Sequence, residues 1–114
     1  MSGSGWELVG EVHLGAELTF DEAREAEGLL RGELEALMEE LGSPWLDARV
    51  TGEGLLFTAS PREGEQEDLL ELCRGLARLL DPGARGRLVA VGEDFGPVLV
   101  FGFTARGVEH PPGD

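Results

Sequence analysis

The chain has 114 residues, 41% of them hydrophobic, and its 23 acidic residues against nine arginines and no lysine give a formal net charge of −14. That length suits one domain with a single core, and that apolar content argues against disorder. The negative field and the lack of a basic patch exclude direct nucleic-acid binding. The lone Cys73 excludes a disulfide framework, and no run approaches the roughly 20 apolar residues that cross a bilayer.

Residues 1–5, "MSGSG", read as a flexible tail. The N-terminus has neither a charged leader nor a long apolar run, so a cytoplasmic protein without a signal peptide is expected. Residues 6–14 then alternate Trp6, Leu8, Gly10, Val12 and Leu14 against Glu7, Val9, Glu11 and His13. Period two with an acidic side predicts a strand buried on one face.

Thr19-Phe-Asp-Glu22 fits a capping box, and Ala23, Ala26, Leu30, Leu34, Leu37 and Leu41 follow at steps of three or four. This predicts a long amphipathic helix, stopped by Gly42 and Pro44. Asp21 and Glu22 lie in its first turn, where the helix dipole favours them, and Glu27 and Arg31 have the favourable i,i+4 spacing of an ion pair. The acidity concentrates here, because residues 1–44 hold eleven acids and two arginines whereas residues 82–114 hold four and three.

Residues 45–60 predict two short strands around Gly52-Glu53-Gly54. Ser60-Pro-Arg-Glu63 has the pattern of a second capping box, with Leu69, Cys73, Leu76, Ala77 and Leu80 as its apolar stripe and Asp81-Pro82-Gly83 as its end. Leu72 and Leu79 lie off that stripe, suited to a neighbouring helix. Strands at 87–92 and 97–105, joined by Glu93-Asp-Phe-Gly96, form a last hairpin, and residues 107–114 read as a flexible tail.

A single domain over 6–106 is expected. Its first six elements resemble the β-α-β-β-α-β plan of ferredoxin-like domains. The predicted fold is an α+β sandwich of that kind with an added fifth strand: an antiparallel sheet with two helices on one face.

Catalytic constellations are scarce. Cys73 falls in the middle of an apolar stripe, the place of a structural thiol rather than a nucleophile. A metal site of His13, Glu11 and His110 is conceivable on paper, but surface histidines without a role are the plainer reading. No P-loop, dinucleotide fingerprint or nucleophile elbow occurs. The acylphosphatase-like use of this topology relies on an asparagine, which the chain lacks, and a cyclase-like palm needs paired aspartates, where Asp47 has no second. "VFGFTARG", 100–107, resembles the RNA-stacking strand of RRM domains, but it lies in the wrong strand and lacks the opening basic residue. No cofactor, no metal and no catalytic residue is therefore expected.

Two surfaces stand out. Glu25, Glu35 and Glu39 point away from the first helix's stripe, either as a solvated face or as an acidic ridge that docks on a basic protein. On the sheet, if Phe101 and Phe103 face the helices, then Val98 and Val100 face the open side, or the reverse; Val9 lies on that side, with Leu56, Val89 and Val91 as further candidates, and an uncovered apolar face invites a partner or a second copy. The expectation is a small acidic non-enzymatic protein-interaction domain, of which an immunity protein or antitoxin against a basic effector is one version. The alternative is a small-molecule-sensing regulatory domain acting as a homodimer.

Composition has its own origin. Lys, Ile, Asn and Tyr are all absent, and these types share A/T-rich codons. A GC-rich genome explains that pattern, a halophile's acidic shell is the other source, and neither licenses reading arginine as chosen over lysine.

Overall fold

A computed structural model of the chain describes residues 5–15, 18–43, 46–50 and 53–109. Among them the elements are β1 (Trp6–His13), α1 (Phe20–Glu40), β2 (Leu46–Val50), β3 (Gly54–Ala59), α2 (Gln66–Ala77), β4 (Arg85–Gly92), β5 (Val98–Thr104) and β6 (Gly107–Glu109). The strands form one six-stranded sheet in the order β2-β3-β1-β4-β5-β6, every neighbouring pair antiparallel. α1 packs over β2 and β3, α2 over β4 to β6, and the two helices touch each other. The class is α+β. No helix among the described residues is long and apolar enough to cross a membrane.

Strict alternation along β1 sends Trp6, Leu8, Gly10 and Val12 inward and Glu7, Val9, Glu11 and His13 outward. The inward side meets Leu55, Phe57 and Ala59 of β3, Leu88 and Ala90 of β4, and Phe101 and Phe103 of β5, all buried. Burial of each such large side chain contributes roughly 1.5–3 kcal/mol. Two of the rings depend on glycine. Gly10 is the register partner of Phe57, and a Cβ there would lie 2.1 Å from the ring; Gly86 stands in the same relation to Phe103, at 2.3 Å. Each phenylalanine therefore lies flat over a bare stretch of the neighbouring strand, covering backbone that no side chain protects.

α1 begins as its sequence predicts. The Glu22 amide donates to Thr19 Oγ1 at 3.2 Å, and the Thr19 amide donates to Glu22 Oε1 at 2.9 Å. Its end is a Schellman motif: Gly42 has φ +69°, its amide donates to Glu39 O, and that of Ser43 donates to Met38 O. Pro44 and Trp45 lie outside the described residues. The buried stripe is Leu30, Leu34 and Met38, with Glu27 beside it, while Ala23, Ala26, Leu37 and Leu41 are only partly buried. The helix is thus rolled slightly from the expected face. Arg31 does not pair with Glu27. Its Nη2 donates instead to the Ala48 carbonyl on the outer strand β2, at 2.8 Å.

Several expectations need correction. The whole-sheet strand order differs from the five-strand plan, because a sixth strand, β6, follows β5. Gly107, at φ +133°, turns the chain back, and Val108 packs against the core, so residues 107–109 belong to the sheet rather than to a tail. Three residues are too few for a period-two signal to be read in advance. Residues 110–114 lie outside the described residues, as do 1–4.

The second helix starts at Gln66, not near Ser60. Trp6 holds the intervening loop: its backbone amide donates to Pro61 O and its Nε1 to Gly64 O, both at 3.0 Å. Gly64 has φ +130°, which no helix accommodates. The first turn is capped instead by Asp68, whose Oδ2 accepts from the Glu65 amide at 2.7 Å. Leu72, expected to suit contact with a neighbouring helix, is fully buried, and Glu33 of α1 sits over Gly75 of α2, where a Cβ would come within 2.6 Å of its carboxylate. The turn expected at Gly52-Glu53-Gly54 lies partly outside the described residues.

Replacing Gly10 with alanine should destabilise the fold by about 1–3 kcal/mol in urea unfolding, because overpacking displaces the Phe57 ring. Gly102→Ala, on the outward side and with only Glu109 O at 3.8 Å, should leave stability unchanged or raise it. Equal effects of the two substitutions would refute the ring-over-glycine packing.

Candidate functional site: the uncovered face of the sheet

Both helices pack on the inward side, so the outward side of the sheet carries no element among the described residues. Strand register orders it into rows. One row runs Asp47, Thr58, Val9, Val89, Val100, and the next on one side runs Glu7, Val91, Val98. On the other side comes Arg49, Leu56, Glu11, Arg87, Gly102, Glu109. Last is His13, Arg85, Thr104, Gly107.

The expected sheet residues fall together here. Phe101 and Phe103 face the helices, and Val9, Leu56, Val98 and Val100, with Val91, are 39–62% exposed on the open side. With half-buried Val89 they make a continuous aliphatic strip from β3 to β5. Leucine and valine are unusual in such numbers on one wet face, and a contiguous patch of this kind marks an interaction surface.

The positions around the strip are charged but balanced. The strands direct four carboxylates outward, Glu7, Glu11, Asp47 and Glu109, against three arginines, Arg49, Arg85 and Arg87. Arg87 holds Glu11 across β1 and β4, its Nε donating to Oε2 at 3.1 Å and its Nη2 to the same oxygen. Arg49 Nε donates to Asp47 Oδ2 at 3.3 Å. His13 Nε2 and Glu53 Oε1 are 3.1 Å apart, and Ser60 Oγ donates to both oxygens of Glu7 at 3.2 Å. An open depression of about 440 Å³ lies among Glu11, His13, Arg85, Gly86, Arg87 and Gly102.

The acidic ridge is placed elsewhere. Glu25, Glu35 and Glu39 are all exposed on α1, which carries eight carboxylates against Arg24 and Arg31. Among the described residues no three His, Cys, Asp or Glu side chains are grouped to hold a metal. His110 of the paper metal site lies outside the described residues. Cys73 is wholly buried, and desolvation pushes its thiol up to about 12.

One exposed residue on the same hairpin has no precedent in the expected site. The β4–β5 turn has φ +56° at Asp94 and +60° at Phe95, closed by the Gly96 amide donating to Glu93 O at 3.0 Å. Aspartate tolerates the left-handed region, whereas a bulky phenylalanine is strained there by about 1–2 kcal/mol. Phe95 is 106% exposed, so no contact among the described residues offsets that strain. Residue order gave no signal of it: a link of four or five residues is most often built on an ordinary type I turn, which needs no positive φ. The three outward arginines were readable from their alternation with Leu88 and Ala90 and with Ala48.

No family model, curated protein or solved structure matches this chain.

Two measurements follow from these side chains. The chain has no lysine and no tyrosine, so Cys73 is the one side chain with a pKa between about 9 and 12. Its folded pKa lies above the unfolded one, so the folded state holds the proton more tightly and stability falls as pH rises through that window, by up to roughly 4 kcal/mol. Stability of Cys73→Ala should start lower and stay flat from pH 9 to 12; a parallel decline in both proteins would contradict the assignment. Phe95→Gly should raise stability by about 0.5–1 kcal/mol, a few degrees in Tm, since relief of strain exceeds the added chain entropy. A lower Tm would mean that Phe95 is held by contacts of its own.

Proposed function

We propose that this chain is a non-enzymatic protein-interaction domain that binds through the uncovered face of its sheet. The observation that carries this reading is the aliphatic strip of Val9, Leu56, Val91, Val98 and Val100 on the side opposite both helices. Water against that strip costs free energy that a partner surface recovers. The groups with chemical potential support the same reading. Cys73 is buried as a neutral thiol, and His13 sits on the surface beside Glu53.

In this reading the fold is a ferredoxin-like unit, β2-β3-β1-β4 with α1 and α2 as its crossovers, widened by β5 and β6 at the β4 edge. We place it in the cytoplasm, in keeping with a single reduced, buried thiol. The ridge of Glu25, Glu35 and Glu39 keeps the chain soluble and steers basic partners, of which an effector neutralised by an immunity or antitoxin protein is one kind. The small-molecule alternative has the depression beside Arg85 in its favour. That depression is open, however, and Arg87 and His13 already face carboxylates there.

In-cell photo-crosslinking separates the two surfaces. A photoreactive amino acid at Val9 or Val100 should give a covalent adduct with protein, whether another chain or the same one. Adducts from Glu25, Glu35 and Glu39 alone would move the interaction to the helix, and none from any position would overturn the reading.

A further inference from the structure

Building on the sheet-face reading, we infer that the occupant of the uncovered face is a second copy of this chain, giving a twofold dimer with the sheets face to face and the helices outside. The charge distribution carries this furthest. The whole chain has a net charge of −14, which would keep copies apart if it were spread evenly. It is not. The outward side of the strands carries four carboxylates and three arginines, while α1 alone carries eight carboxylates and two arginines. A face-to-face pairing places the acidic helices on opposite outer surfaces, about as far from each other as the molecule allows. A basic partner would be drawn to those helices rather than to the balanced face.

Both signs of charge are present around the strip, so the face is self-complementary. Arg49, Arg85 and Arg87 lie with Glu11 and Glu109 on one side of the Val9–Val89–Val100 row, and Glu7 lies on the other; Arg87 is held by Glu11 and Arg49 by Asp47, which leaves Arg85 to meet Glu7 of a second copy. A twofold rotation can bring unlike charges opposite while aliphatic side chains meet in the middle. The size also suits. Strands about 4.8 Å apart and up to about eight residues long give a face of roughly 600 Å² per copy, or about 1,200 Å² in total, the low end for a specific interface. That predicts a reversible dimer rather than an obligate one.

Pairing through the sheet edges is less open to a second copy. Arg31 already donates to the Ala48 carbonyl of the edge strand β2, and the other edge, β6, is three residues long.

Sedimentation equilibrium of the whole chain, from about 1 to about 500 µM, tests the proposal. A monomer–dimer equilibrium with a Kd in the micromolar range is expected, equal or tighter in about 1 M salt because screening relieves the residual like-charge repulsion. Val9→Asp combined with Val100→Asp should weaken it at least roughly tenfold. Both sites are solvent-exposed, so the fold should persist, and an unchanged circular dichroism spectrum checks that. Glu40→Gln, exposed on α1, should leave the equilibrium as it is. A monomer throughout the range, or a dimer indifferent to the Val9 and Val100 substitutions, would overturn the proposal. If the purified chain is monomeric while the photoreactive positions on the sheet capture a different protein, the second-copy inference fails and the interaction-domain reading stands.

Discussion

Both helices lie on one side of the sheet, and every other feature of this molecule depends on that. The inward residues of β1, β3, β4 and β5 find cover under α1 and α2, and the phenylalanine rings of Phe57 and Phe103 complete it by lying over Gly10 and Gly86. An antiparallel sheet tolerates a wet second face, provided that the outward positions are polar. Here they are polar only in part. Glu7, Glu11, Arg85 and Arg87 follow the rule, while Val9, Leu56, Val91, Val98 and Val100 break it.

Those exceptions are not scattered. They fall in adjacent rows of the register, so their side chains touch neighbouring positions rather than standing alone in water. The charged positions next to them are tied down locally, Arg87 to Glu11 and Arg49 to Asp47. Exposed pairs of this kind contribute little to stability, on the order of 0–1 kcal/mol each. Their consequence is electrical: they keep the face near neutral in a strongly acidic chain. The helices carry the excess charge and hold it away from the face. Division of labour between an acidic coat and a neutral, partly aliphatic sheet is the physical basis of the interaction-domain reading.

Much of this was legible from residue order. Period-two alternation located β1, turn residues located the strands of the two hairpins, and Thr19 with Glu22 marked the start of α1. What escaped did so for definable reasons. Ser60-Pro-Arg-Glu63 has the letters of a capping box, but Trp6, distant in sequence, draws Pro61 and Gly64 into a loop. β6 is too short to carry a period. Glu27 and Arg31 have the spacing of an ion pair, yet the carbonyl of Ala48 on β2 offers Arg31 a different acceptor. For the site, Val9 followed from the alternation of β1, and Val98 and Val100 shared one face of their strand, with only the choice of face left open. The charge balance did not follow, because it depends on which strands are neighbours: Glu11 meets Arg87 only when β1 lies beside β4. Phe95 escapes because the hairpin is legible but the sign of its φ is not: a phenylalanine gives no sign of a left-handed backbone.

The central claim is that the aliphatic strip is the surface at which copies meet. Methyl resonances of a valine- and leucine-labelled sample followed through dilution test it most directly, since they report position by position. The account predicts that the methyls of Val9, Leu56, Val89, Val91, Val98 and Val100 shift together on dilution while those of Leu30, Leu34 and Leu72 stay still. Spectra that do not change with concentration, or that change at Leu29 and Leu37 on the helix side instead, would contradict it.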